Sequence, residues 1–452
     1  MDLDSDPEIA EPLARGRALA ARAEDAAARA AYLEVLRRDP THFVALNELG
    51  NLALAGGFRS AARTAYVQAV QHHPANKVAH VNLANLLRVE RDVAGARRHY
   101  ERALAIDPEM HEAHQGLGWV LDELGEPDAE WHRQKGYAGH AVVTQPYRGS
   151  GTGIPLLLLV SARLGNIPTS RWLSDRRYSV TAIYADYYPL DAGLPPHALI
   201  VNAIGDADLC REALERAHNL VASSEVPVIN SPARVLLTRR LDNARRLADI
   251  DGVIAPTIGA MTPHAVLSSD DLRFPLLLRR PGFHNGEHFV LVERRDSLPE
   301  TLASLGDGEL LVIEYLDARG ADGMARKYRV MFIDGAAYPL HLAISADWKV
   351  HYVTSAMRHN AAFREEERRF LEDMPAVLGQ RAMDALTQIC TVLGLDYAGI
   401  DFALAADGSV MLFEANATMI VFPPDPDPIW DYRRAAIEAV VSAATRMVLQ
   451  RA

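Results

Sequence analysis

Two carboxylates and one amide side chain lie close together near the C-terminal end of the sequence. Between Tyr397 and Met419, Asp401 interrupts one apolar run, Glu414 ends the next, and Asn416 is the second residue after it. Carboxylate and amide oxygens are hard ligands, and Mg²⁺ binds proteins through one or two carboxylates together with substrate phosphates. The three residues therefore predict a magnesium site that serves a phosphorylated ligand.

A β-hairpin is the element that would bring these side chains together. The apolar runs Gly399–Leu404 and Val410–Glu414 are separated by an Asp-Gly pair at 407–408, which is typical of hairpin turns. In this hairpin Asp401 lies opposite Glu414, and alternation along the strand places Glu414 and the second residue after it on one face. The alternative is a surface hairpin with scattered acids, which leaves the interrupted apolar runs unexplained.

A basic pair lies further upstream. The stretch Arg273–Gly286 is interpreted as a strand, the pair Arg279 and Arg280, and a loop that contains Gly286, and Phe289–Val292 predicts the next strand. A loop between antiparallel strands, with a cation at its base, can place backbone N–H groups over phosphate oxygens. We therefore expect phosphate binding at this loop.

The segment Ala346–Phe363 is dense in polar and aromatic residues. We interpret it as facing the substrate, with Lys349, His351 and Arg358 as contacts of a carboxylate or a phosphate. The alternative is an ordinary connector with solvated charges. The following stretch, Arg364–Glu372, is interpreted as a charged helix face.

The middle of the chain predicts strands that alternate with helices, as in small, mostly parallel sheets. The predicted strands are Ile154–Ser161, Tyr178–Ala185, Ala198–Asn202 and Val226–Ile229. Asn202 and Asp206 follow the third strand, and ligands favour the carboxyl ends of strands in open α/β sheets, so both are candidate substrate contacts. Equally, Asp206 could cap the helix that begins near Ala207.

Residues 8–137 repeat with a period of 34 residues. The shift superimposes three sets of residues: Tyr32, Tyr66 and Tyr100; Ala28, Ala62 and Ala96; Pro40, Pro74 and Pro108. Small residues let paired helices approach closely, the tyrosine fills the groove between them, and the proline ends the second helix. The pattern resembles the tetratricopeptide repeat, with about four copies of which the last is a cap.

An array of such repeats offers its concave face to a peptide or protein. Four asparagines of the first helices could hydrogen-bond an extended backbone: Asn47, Asn51, Asn82 and Asn85. The resemblance therefore implies a peptide or protein partner. The alternative is a scaffold arm, or an arm that joins the chain to a second copy of itself as a homo-oligomer.

Composition bounds the class of protein. The chain has 452 residues, of which 49% are hydrophobic and 23% charged, and a net charge of −12. Such a chain is an ordinary globular protein of two or three domains, and its acidic balance argues against nucleic acid or an anionic membrane as partner.

The sequence gives little indication of a targeting segment, a disulfide framework or a zinc site. The start of the sequence lacks the features of a signal peptide, and no apolar run is long enough to span a membrane. Cys210 and Cys390 give neither a disulfide framework nor a zinc spacing. Histidines of the repeats, such as His114, are expected to have no acids or further histidines beside them, so zinc is not predicted. We expect a cytoplasmic protein.

Residues 155–450 resemble the ATP-grasp superfamily, which includes D-alanine–D-alanine ligase, glutathione synthetase and related carboxylate–amine ligases. The most specific part of the match is the D-x₁₂-E-x-N spacing of Asp401, Glu414 and Asn416. The resemblance implies ATP and Mg²⁺ as cofactors, with these three residues as the metal ligands.

The resemblance also implies phosphate contacts. Arg279 or Arg280 stands where the family usually has a phosphate-binding lysine before a proline. Arg239 or Arg240 stands near the other usual lysine. Arginine keeps the positive charge and allows bidentate contacts, but it changes reach and geometry.

Further roles follow from the same resemblance. Glu314 and Leu316 would border the adenine, with Tyr315 pointing away or stacking. In several ligases of the family an arginine two residues before the first metal aspartate assists the acyl phosphate. A glycine occupies that position here, and Arg329 or Arg358 would take its role.

The sequence therefore predicts a multidomain protein. Its parts are an all-α tetratricopeptide repeat array (8–137), an α/β pre-ATP-grasp substrate domain (150–233) and an α+β ATP-grasp catalytic domain (234–452). The predicted function is an ATP- and Mg²⁺-dependent carboxylate–amine ligase that forms an amide or peptide bond through an acyl phosphate. Its substrates would be a small-molecule carboxylate and amine, such as an amino acid or peptide. The rival interpretations are an ATP-grasp kinase or phosphotransferase, and a repeat-based scaffold with a degenerate nucleotide site.

Overall fold

A computed structural model describes residues 6–222, 224–281, 288–350, 356–423 and 425–452. The chain divides into two compact units. Unit 1 comprises Met1–Gly153 and Asp175–Pro189, and unit 2 comprises Ile154–Ser174 and Leu190–Ala452. The finer division into three domains stays a prediction.

The α-helices of the described residues are α1 (Pro7–Ala21), α2 (Asp25–Arg38), α3 (Phe43–Ala55), α4 (Arg59–His72), α5 (Lys77–Val89), α6 (Val93–Ile106), α7 (His111–Glu123), α8 (Ala129–Tyr137), α9 (Arg211–Val221), α10 (Pro232–Val235), α11 (Arg240–Ala248), α12 (Pro263–Ser268), α13 (Leu298–Leu305), α14 (Ala361–Glu372), α15 (Met374–Leu393) and α16 (Arg434–Arg451).

The strands are β1 (Val142–Thr144), β2 (Ile154–Val160), β3 (Tyr178–Tyr184), β4 (Leu199–Asn202), β5 (Val228–Ile229), β6 (Val253–Ile254), β7 (Ile258–Met261), β8 (Leu276–Arg279), β9 (Phe289–Val292), β10 (Leu310–Glu314), β11 (Ala325–Ile333), β12 (Ala336–Ser345), β13 (Tyr397–Leu404) and β14 (Val410–Asn416).

Helices α1 to α8 pair in sequence order into an all-helical repeat array, as predicted. The repeated tyrosines of α2, α4 and α6 are buried between the helices of each pair. A Cβ atom on Gly16 would overlap the ring of Tyr32, and one on Gly50 would overlap the ring of Tyr66. The absence of a side chain at these glycines therefore lets each tyrosine pack against the neighbouring helix.

Unit 1 also contains the antiparallel pair β1 and β3, with Val142 opposite Ile183. The segment that carries β3 packs against the last repeat helix, because Tyr137 stacks on Tyr187 with ring centroids 5.0 Å apart. The hydroxyl of Tyr187 donates to Glu130 at 3.0 Å. The segment with β3 therefore falls within unit 1.

Unit 2 contains the parallel strands β2, β4 and β5. All four residues of β4 are buried, as expected for a strand covered on both faces. The parallel pairing agrees with the alternation of strands and helices in the sequence.

Two further sheets complete unit 2. One is antiparallel, in the order β7-β10-β8-β9. The other has the order β12-β11-β13-β14-β6 and is antiparallel except for the parallel pairing of β14 with β6. The hairpin prediction is confirmed, since β13 pairs with β14 and places Asp401 opposite Glu414. A register shift beyond this pair leaves Phe413 as an extra residue in β14.

Arg364–Glu372 is helical as predicted, but its interpretation as a charged helix face fails at Glu367, which is buried. This residue lies in α14 and is 0% exposed. Its carboxylate accepts hydrogen bonds from Arg433 Nη2 at 2.6 Å and from the Tyr432 hydroxyl at 2.5 Å. One charged side chain of α14 therefore lies in the protein interior.

Among the described helices, none is both long and apolar enough to cross a membrane.

Candidate functional site

Asp401 is the centre of a charged cluster on the sheet formed by β11, β13 and β14. Arg329 lies beside Asp401 in the ladder of β11 and β13. Its Nε and Nη2 donate to the two carboxylate oxygens of Asp401 at 2.6 and 2.7 Å. Lys327, two residues earlier on the same strand face, lies with Nζ 3.2 Å from Asp401 Oδ2. Asp401 is therefore compensated by two cations.

Glu414 forms the second half of the cluster. Arg240, the first residue of α11, donates from Nη2 to Glu414 Oε1 at 2.5 Å. Asn416 Nδ2 donates to the same oxygen at 2.8 Å, while Asn416 Oδ1 accepts from the backbone N and the hydroxyl of Thr418. The expected convergence of three oxygens thus differs from the observed arrangement, because each carboxylate faces donors and the amide oxygen faces Thr418.

Electrostatics keep both carboxylates ionised. Burial raises the pKa of Asp401, but Arg329 and Lys327 lower it by more, and the net pKa lies well below the usual range. For Glu414 burial again raises the pKa, and Arg240 and Arg279 outweigh it, so the net shift is downward. Two negative charges therefore stand directly opposite each other across the hairpin at neutral pH.

A small cleft, partly open to solvent, borders this cluster. Its walls are the turn Gly205–Asp208, the first turns of α11, and residues Leu412–Asn416 of β14. Most of its polar side chains are charged, so the cleft is suited to a polar ligand beside Glu414.

The residues present fit a magnesium ion that arrives with phosphates. Asp401 and Glu414 are paired across one ladder position, as a two-carboxylate site requires. Among the described residues, no group of three or more His, Cys, Asp or Glu side chains is arranged to hold a metal by itself. Mg²⁺ usually keeps several waters and takes substrate phosphates as ligands, so a full protein cage is not needed. Asn416 would have to rotate its amide to become a ligand.

The structure separates the members of the two arginine pairs. Burial, followed by repulsion from Arg240, lowers the pKa of Arg279, and Glu414 is among the groups that oppose this. Arg279 therefore belongs to the electrostatic surroundings of the cluster. Arg280 instead donates to the carbonyl oxygens of Leu305 and Asp307, both at 2.9 Å, and holds the end of α13.

The second pair, Arg239 and Arg240, also has members with different partners. Arg240 binds Glu414, whereas the Nε of Arg239 lies 3.5 Å from Asp208 and its Nη1 lies 3.6 Å from Asp242. The backbone N–H of Arg240 also donates to Asp208 at 3.0 Å. The charged cluster is hereafter Asp401, Glu414, Arg240, Arg279, Lys327 and Arg329.

An apolar patch adjoins the cluster. Tyr315 packs edge-on to Trp348, which also contacts Phe289 edge-on with centroids 5.4 Å apart. These rings join a cluster that includes Leu277 and Ile313. The side chain of Arg279 lies over the Phe289 ring, with 5.5 Å between its guanidinium carbon and the ring centroid. Tyr315 is thus in contact with an aromatic neighbour, and the patch connects to the cations.

Glu314 and Leu316 flank this patch. Glu314 ends β10, and its Oε2 accepts from the backbone N–H of Thr257 at 3.0 Å. Its backbone N–H donates in turn to the Thr257 carbonyl at 2.9 Å. Leu316 is half-buried. The adenine role of these residues stays a prediction.

Asn202 has a structural role. Its Nδ2 donates to the carbonyls of Ile204 and Asn230, and its Oδ1 accepts from the Ile204 N–H at 3.1 Å. Because both ends of the buried amide are occupied, the geometry disfavours a substrate contact. Asp206 Oδ1 accepts from the N–H groups of Asp208 and Leu209, both at 2.9 Å. These bonds cap a turn and not the expected helix, because α9 begins at Arg211 with Cys210 at its N-cap. Asp206 also lines the cleft.

The substrate-facing segment is only partly described. Lys349 Nζ lies 3.4 Å from the Phe289 carbonyl oxygen, near the aromatic patch. Arg358 pairs with Asp427 at 2.8 Å and lies against Trp430. Of the two arginines proposed for the acyl phosphate, Arg329 is therefore the one in the charged cluster. Gly286 and His351 lie outside the described residues.

Two residues of the site were missed from the sequence. Lys327 contacts Asp401 as described, and His341 of β12 lies opposite Arg329 in the ladder. Burial, and next the charge of Arg329, hold the pKa of His341 well below 6.5, so its imidazole is neutral. The alternation of Lys327 and Arg329 along one strand was the available signal. His341 carries no such signal, since it joins the cluster only through strand pairing.

The repeat asparagines are partly used inside unit 1. Asn51 Oδ1 accepts from the Tyr66 hydroxyl at 2.7 Å, and Asn85 Oδ1 accepts from the Tyr100 hydroxyl at 2.5 Å. Asn47 Oδ1 accepts from Asn82 Nδ2 at 2.5 Å. The acceptor oxygens of Asn47, Asn51 and Asn85 are therefore engaged, which weakens the expectation that they bind a peptide backbone.

The repeats also contain pairs of histidines. His80 Nε2 contacts the Pro74 carbonyl and His80 Nδ1 contacts His99 Nδ1, both at 3.0 Å. A carbonyl accepts only, so His80 carries its hydrogen on Nε2 and accepts from His99 at Nδ1. The same arrangement recurs one repeat later, with His114, His132 and the Pro108 carbonyl. The expectation that His114 has no histidine beside it is therefore wrong.

Acidification is expected to destabilise unit 1 through these pairs. Burial, followed by the paired histidine, lowers the pKa of His99 and of His132 below 6.5 in the folded protein. The unfolded chain therefore takes up protons first as the pH falls below about 6.5, and stability is lost from that point downward. Thermal unfolding followed by the helical circular dichroism signal, at steps between pH 8 and pH 5, measures the loss.

A double variant, His99→Gln with His132→Gln, tests the assignment. Glutamine can still donate to the paired histidine but does not titrate. The variant should unfold with a smaller pH dependence than the wild type, and His72→Gln, at an exposed position of α4, should not. Equal pH dependence in all three proteins would contradict the prediction.

Comparison with known proteins identifies the repeats. Residues 47–111 and 82–130 match the tetratricopeptide repeat family model. No sequence among curated proteins matches the chain. The N-terminal part of the chain therefore carries tetratricopeptide repeats, and such repeats indicate a role in protein–protein interaction.

Solved structures also resemble part of the chain. The crystal structure of MamA protein shares 23% identity over 29% of this chain and 72% of that one, with a TM-score of 0.27. MamA 41-end from Desulfovibrio magneticus RS-1 shares 23% identity over 28% of this chain and 72% of that one, with a TM-score of 0.26. The first TPR of Spaghetti (RPAP3) bound to HSP90 peptide SRMEEVD shares 17% identity over 26% of this chain and 94% of that one, with a TM-score of 0.25.

Proposed function

We propose that unit 2 is an ATP- and Mg²⁺-dependent carboxylate–amine ligase of the ATP-grasp type. The observation that carries the proposal is the charged cluster, in which two carboxylates from paired strands meet cations from three other elements beside a cleft. Phosphoryl transfer needs positioning and charge neutralisation more than covalent help from the protein. This arrangement supplies both.

The charged cluster presents four cations to a polyanion. Arg240, Arg279, Lys327 and Arg329 face Asp401 and Glu414, while Asp206 and Asp208 of the cleft wall offset part of this positive charge. Bound Mg²⁺ would supply further positive charge at the carboxylates. Arg329 and Arg240, once freed from Asp401 and Glu414, could then turn to phosphate oxygens, for which a guanidinium is a bidentate donor. The present ion pairs would thus act as a resting state.

We assign the adenine base of ATP to the aromatic patch. Tyr315, Trp348 and Phe289 form an apolar surface that is joined to the cations through Arg279. An adenine ring could pack there while its phosphates reach the charged cluster. Backbone groups next to Glu314 and Leu316 would then hydrogen-bond to the edge of the adenine, as the family resemblance implies.

The reaction would proceed in two displacements. A substrate carboxylate oxygen attacks the γ-phosphorus, the bond to the β–γ bridging oxygen breaks, and ADP leaves. The amine nitrogen then attacks the acyl carbon, inorganic phosphate leaves, and the nitrogen loses a proton to give the amide. Arg329 and Lys327 would hold the negative charge that develops on the transferred group. The carboxylate or phosphate contact expected of Lys349 stays a prediction.

The repeats would deliver one of the substrates. Tetratricopeptide repeats indicate a role in protein–protein interaction, and we propose that this array recruits a peptide or protein that carries the carboxylate or the amine. A second copy of the chain is the competing occupant, and sedimentation of the full chain distinguishes the two.

Product analysis tests the reaction class. The full chain is incubated with Mg²⁺ and ATP, with pools of amino acids and small acids offered singly and in pairs. Release of ADP and phosphate only when both a carboxylate and an amine are present supports ligation. A stable phosphorylated product replaces the ligase by a kinase. Failure to bind ATP at all, measured by calorimetry, overturns the proposed nucleotide site.

Arg279 and Arg280 offer a matched pair of variants. Arg279→Ala is expected to weaken ATP binding by about tenfold or more, because a charged hydrogen-bond partner is worth about 1.5 to 3 kcal/mol. Arg280→Ala removes an equal charge one residue away, from a side chain that donates to carbonyl oxygens at the end of α13. Its ATP affinity should therefore stay near that of the wild type. Equal losses in the two variants would contradict the assignment of Arg279.

A further inference from the structure

Asn243 is a buried residue in the wall of the cleft. It lies in α11, one helical turn after Arg240, and is 3% exposed. Its Nδ2 donates to the carbonyl oxygen of Ala415 at 2.6 Å. Because a carbonyl can only accept, this bond fixes which end of the amide points to the strand and which end does not.

The other end of this amide lacks a donor. Asn243 Oδ1 is buried and has no hydrogen-bond partner among the described residues. A buried acceptor without a donor costs about 1 to 3 kcal/mol, so buried polar groups are nearly always satisfied. Asn243 Oδ1 is therefore an acceptor that a group outside the described residues, such as one brought by a ligand, can satisfy.

The position of Asn243 narrows the choice of donor. Ala415, to which the amide is tied, lies between Glu414 and Asn416, and all four residues line the cleft. Phosphate groups that have lost their protons only accept. A hydrated Mg²⁺ brings water molecules whose hydrogens point outward, and it retains several of them when it binds through few protein ligands.

We propose that Asn243 Oδ1 accepts a hydrogen bond from a water of the Mg²⁺ that enters with ATP, and so positions the ion. The inference rests on the proposed nucleotide and magnesium site. It makes Asn243 a positioning residue that acts through the hydration shell, a kind of partner whose loss costs about 10- to 100-fold in metal affinity in other proteins.

The experiment measures how strongly Mg²⁺ and ATP assist each other. ATP binding to the full chain is titrated by calorimetry in Mg²⁺ and in EDTA, without any amine, and the ratio of the two dissociation constants gives the coupling. Asn243→Leu, similar in size but without polar atoms, should reduce the coupling by about tenfold. Its metal-free affinity for ATP should remain near the wild-type value.

A second variant separates the two ends of the amide. Asn243→Asp keeps an acceptor for the water but loses the donor to Ala415. It should retain the coupling or increase it. If the bond to Ala415 were the whole role of the residue, aspartate would fare no better than leucine, because it would set a carboxylate against a carbonyl oxygen. Asn219→Leu, at an exposed position of α9, is the control.

Each outcome decides the matter. Coupling unchanged in Asn243→Leu, or lost equally in the leucine and aspartate variants, overturns the inference and leaves the proposed function intact. An effect that appears only after an amine is added assigns the contact to the amine and also overturns it. A wild type that binds no ATP removes the proposed function itself. If Asn243→Leu does not fold, Asn243→Ser is measured in its place against the same control.

Discussion

Replacing Glu414 by glutamine is expected to lower the rate of ATP turnover by at least about a hundredfold, the size of loss seen when one electrostatic contact of a transition state is removed. Glutamine has nearly the same shape, but it lacks the charge that opposes Arg240 and faces Asp401 across the hairpin. A single carboxylate would then remain to hold a divalent ion. Steady-state release of ADP, with the substrate pair found by product analysis, measures the effect.

The control for this variant is Glu438→Gln, at an exposed position of α16 in the same unit. Its turnover should equal that of the wild type. The Mg²⁺ coupling of ATP binding should also fall in Glu414→Gln, which separates a lost metal ligand from a lost substrate contact. An unchanged turnover rate would remove the metal assignment of Glu414.

Replacing Glu367 by glutamine is expected to destabilise unit 2 by about 3 to 5 kcal/mol, as breaking one side of a buried ion pair does. The carboxylate is fully buried and receives Nε and Nη2 of Arg433 at 3.0 and 2.6 Å. Arg433 also lies over the Trp430 ring, 3.9 Å from its centroid. Without the carboxylate, the buried guanidinium loses the negative charge of Glu367. Urea denaturation, with hydrogen exchange measured at α14 and α16, reports the loss.

The double variant Glu367→Leu with Arg433→Leu should be more stable than Glu367→Gln. Burial raises the pKa of Glu367 above its usual value although Arg433 opposes this, so pairing does not fully offset the cost of burying the charge. Removing both charges should therefore cost little, as in other buried pairs replaced by apolar residues. A double variant as unstable as the single one would show that the hydrogen bonds of Tyr432 and the Leu342 N–H to Glu367, rather than the charge, hold the segment.

The sequence-based predictions that the structure confirms rest on local sequence patterns. The hairpin of β13 and β14 follows from alternation and a two-residue turn signal, and both act within a few residues of each other. The helical repeats follow from a periodic tyrosine that each helix pair needs to fill its groove. In both cases the information lies inside one supersecondary unit.

Choices between neighbouring residues could not be made in this way. Arg240 meets Glu414 across 174 residues of chain, and Arg329 meets Asp401 across 72. Whether Arg239 or Arg240 faces the cleft depends on where α11 begins. The composition of Arg364–Glu372 likewise gave no sign that Glu367 faces inward to Arg433.

The sequence by itself determined that the chain carries a helical repeat array and a hairpin with two opposed carboxylates, because side-chain period and turn chemistry are local properties. Only the tertiary structure decided which cations reach those carboxylates, that His341 lies beside Arg329, and that one oxygen of Asn243 is left without a donor among the described residues. The reason is physical. The partner of a charge or of a buried amide is set by how strands and helices that are distant in sequence pack together. Periodic patterns in the sequence do not contain this information.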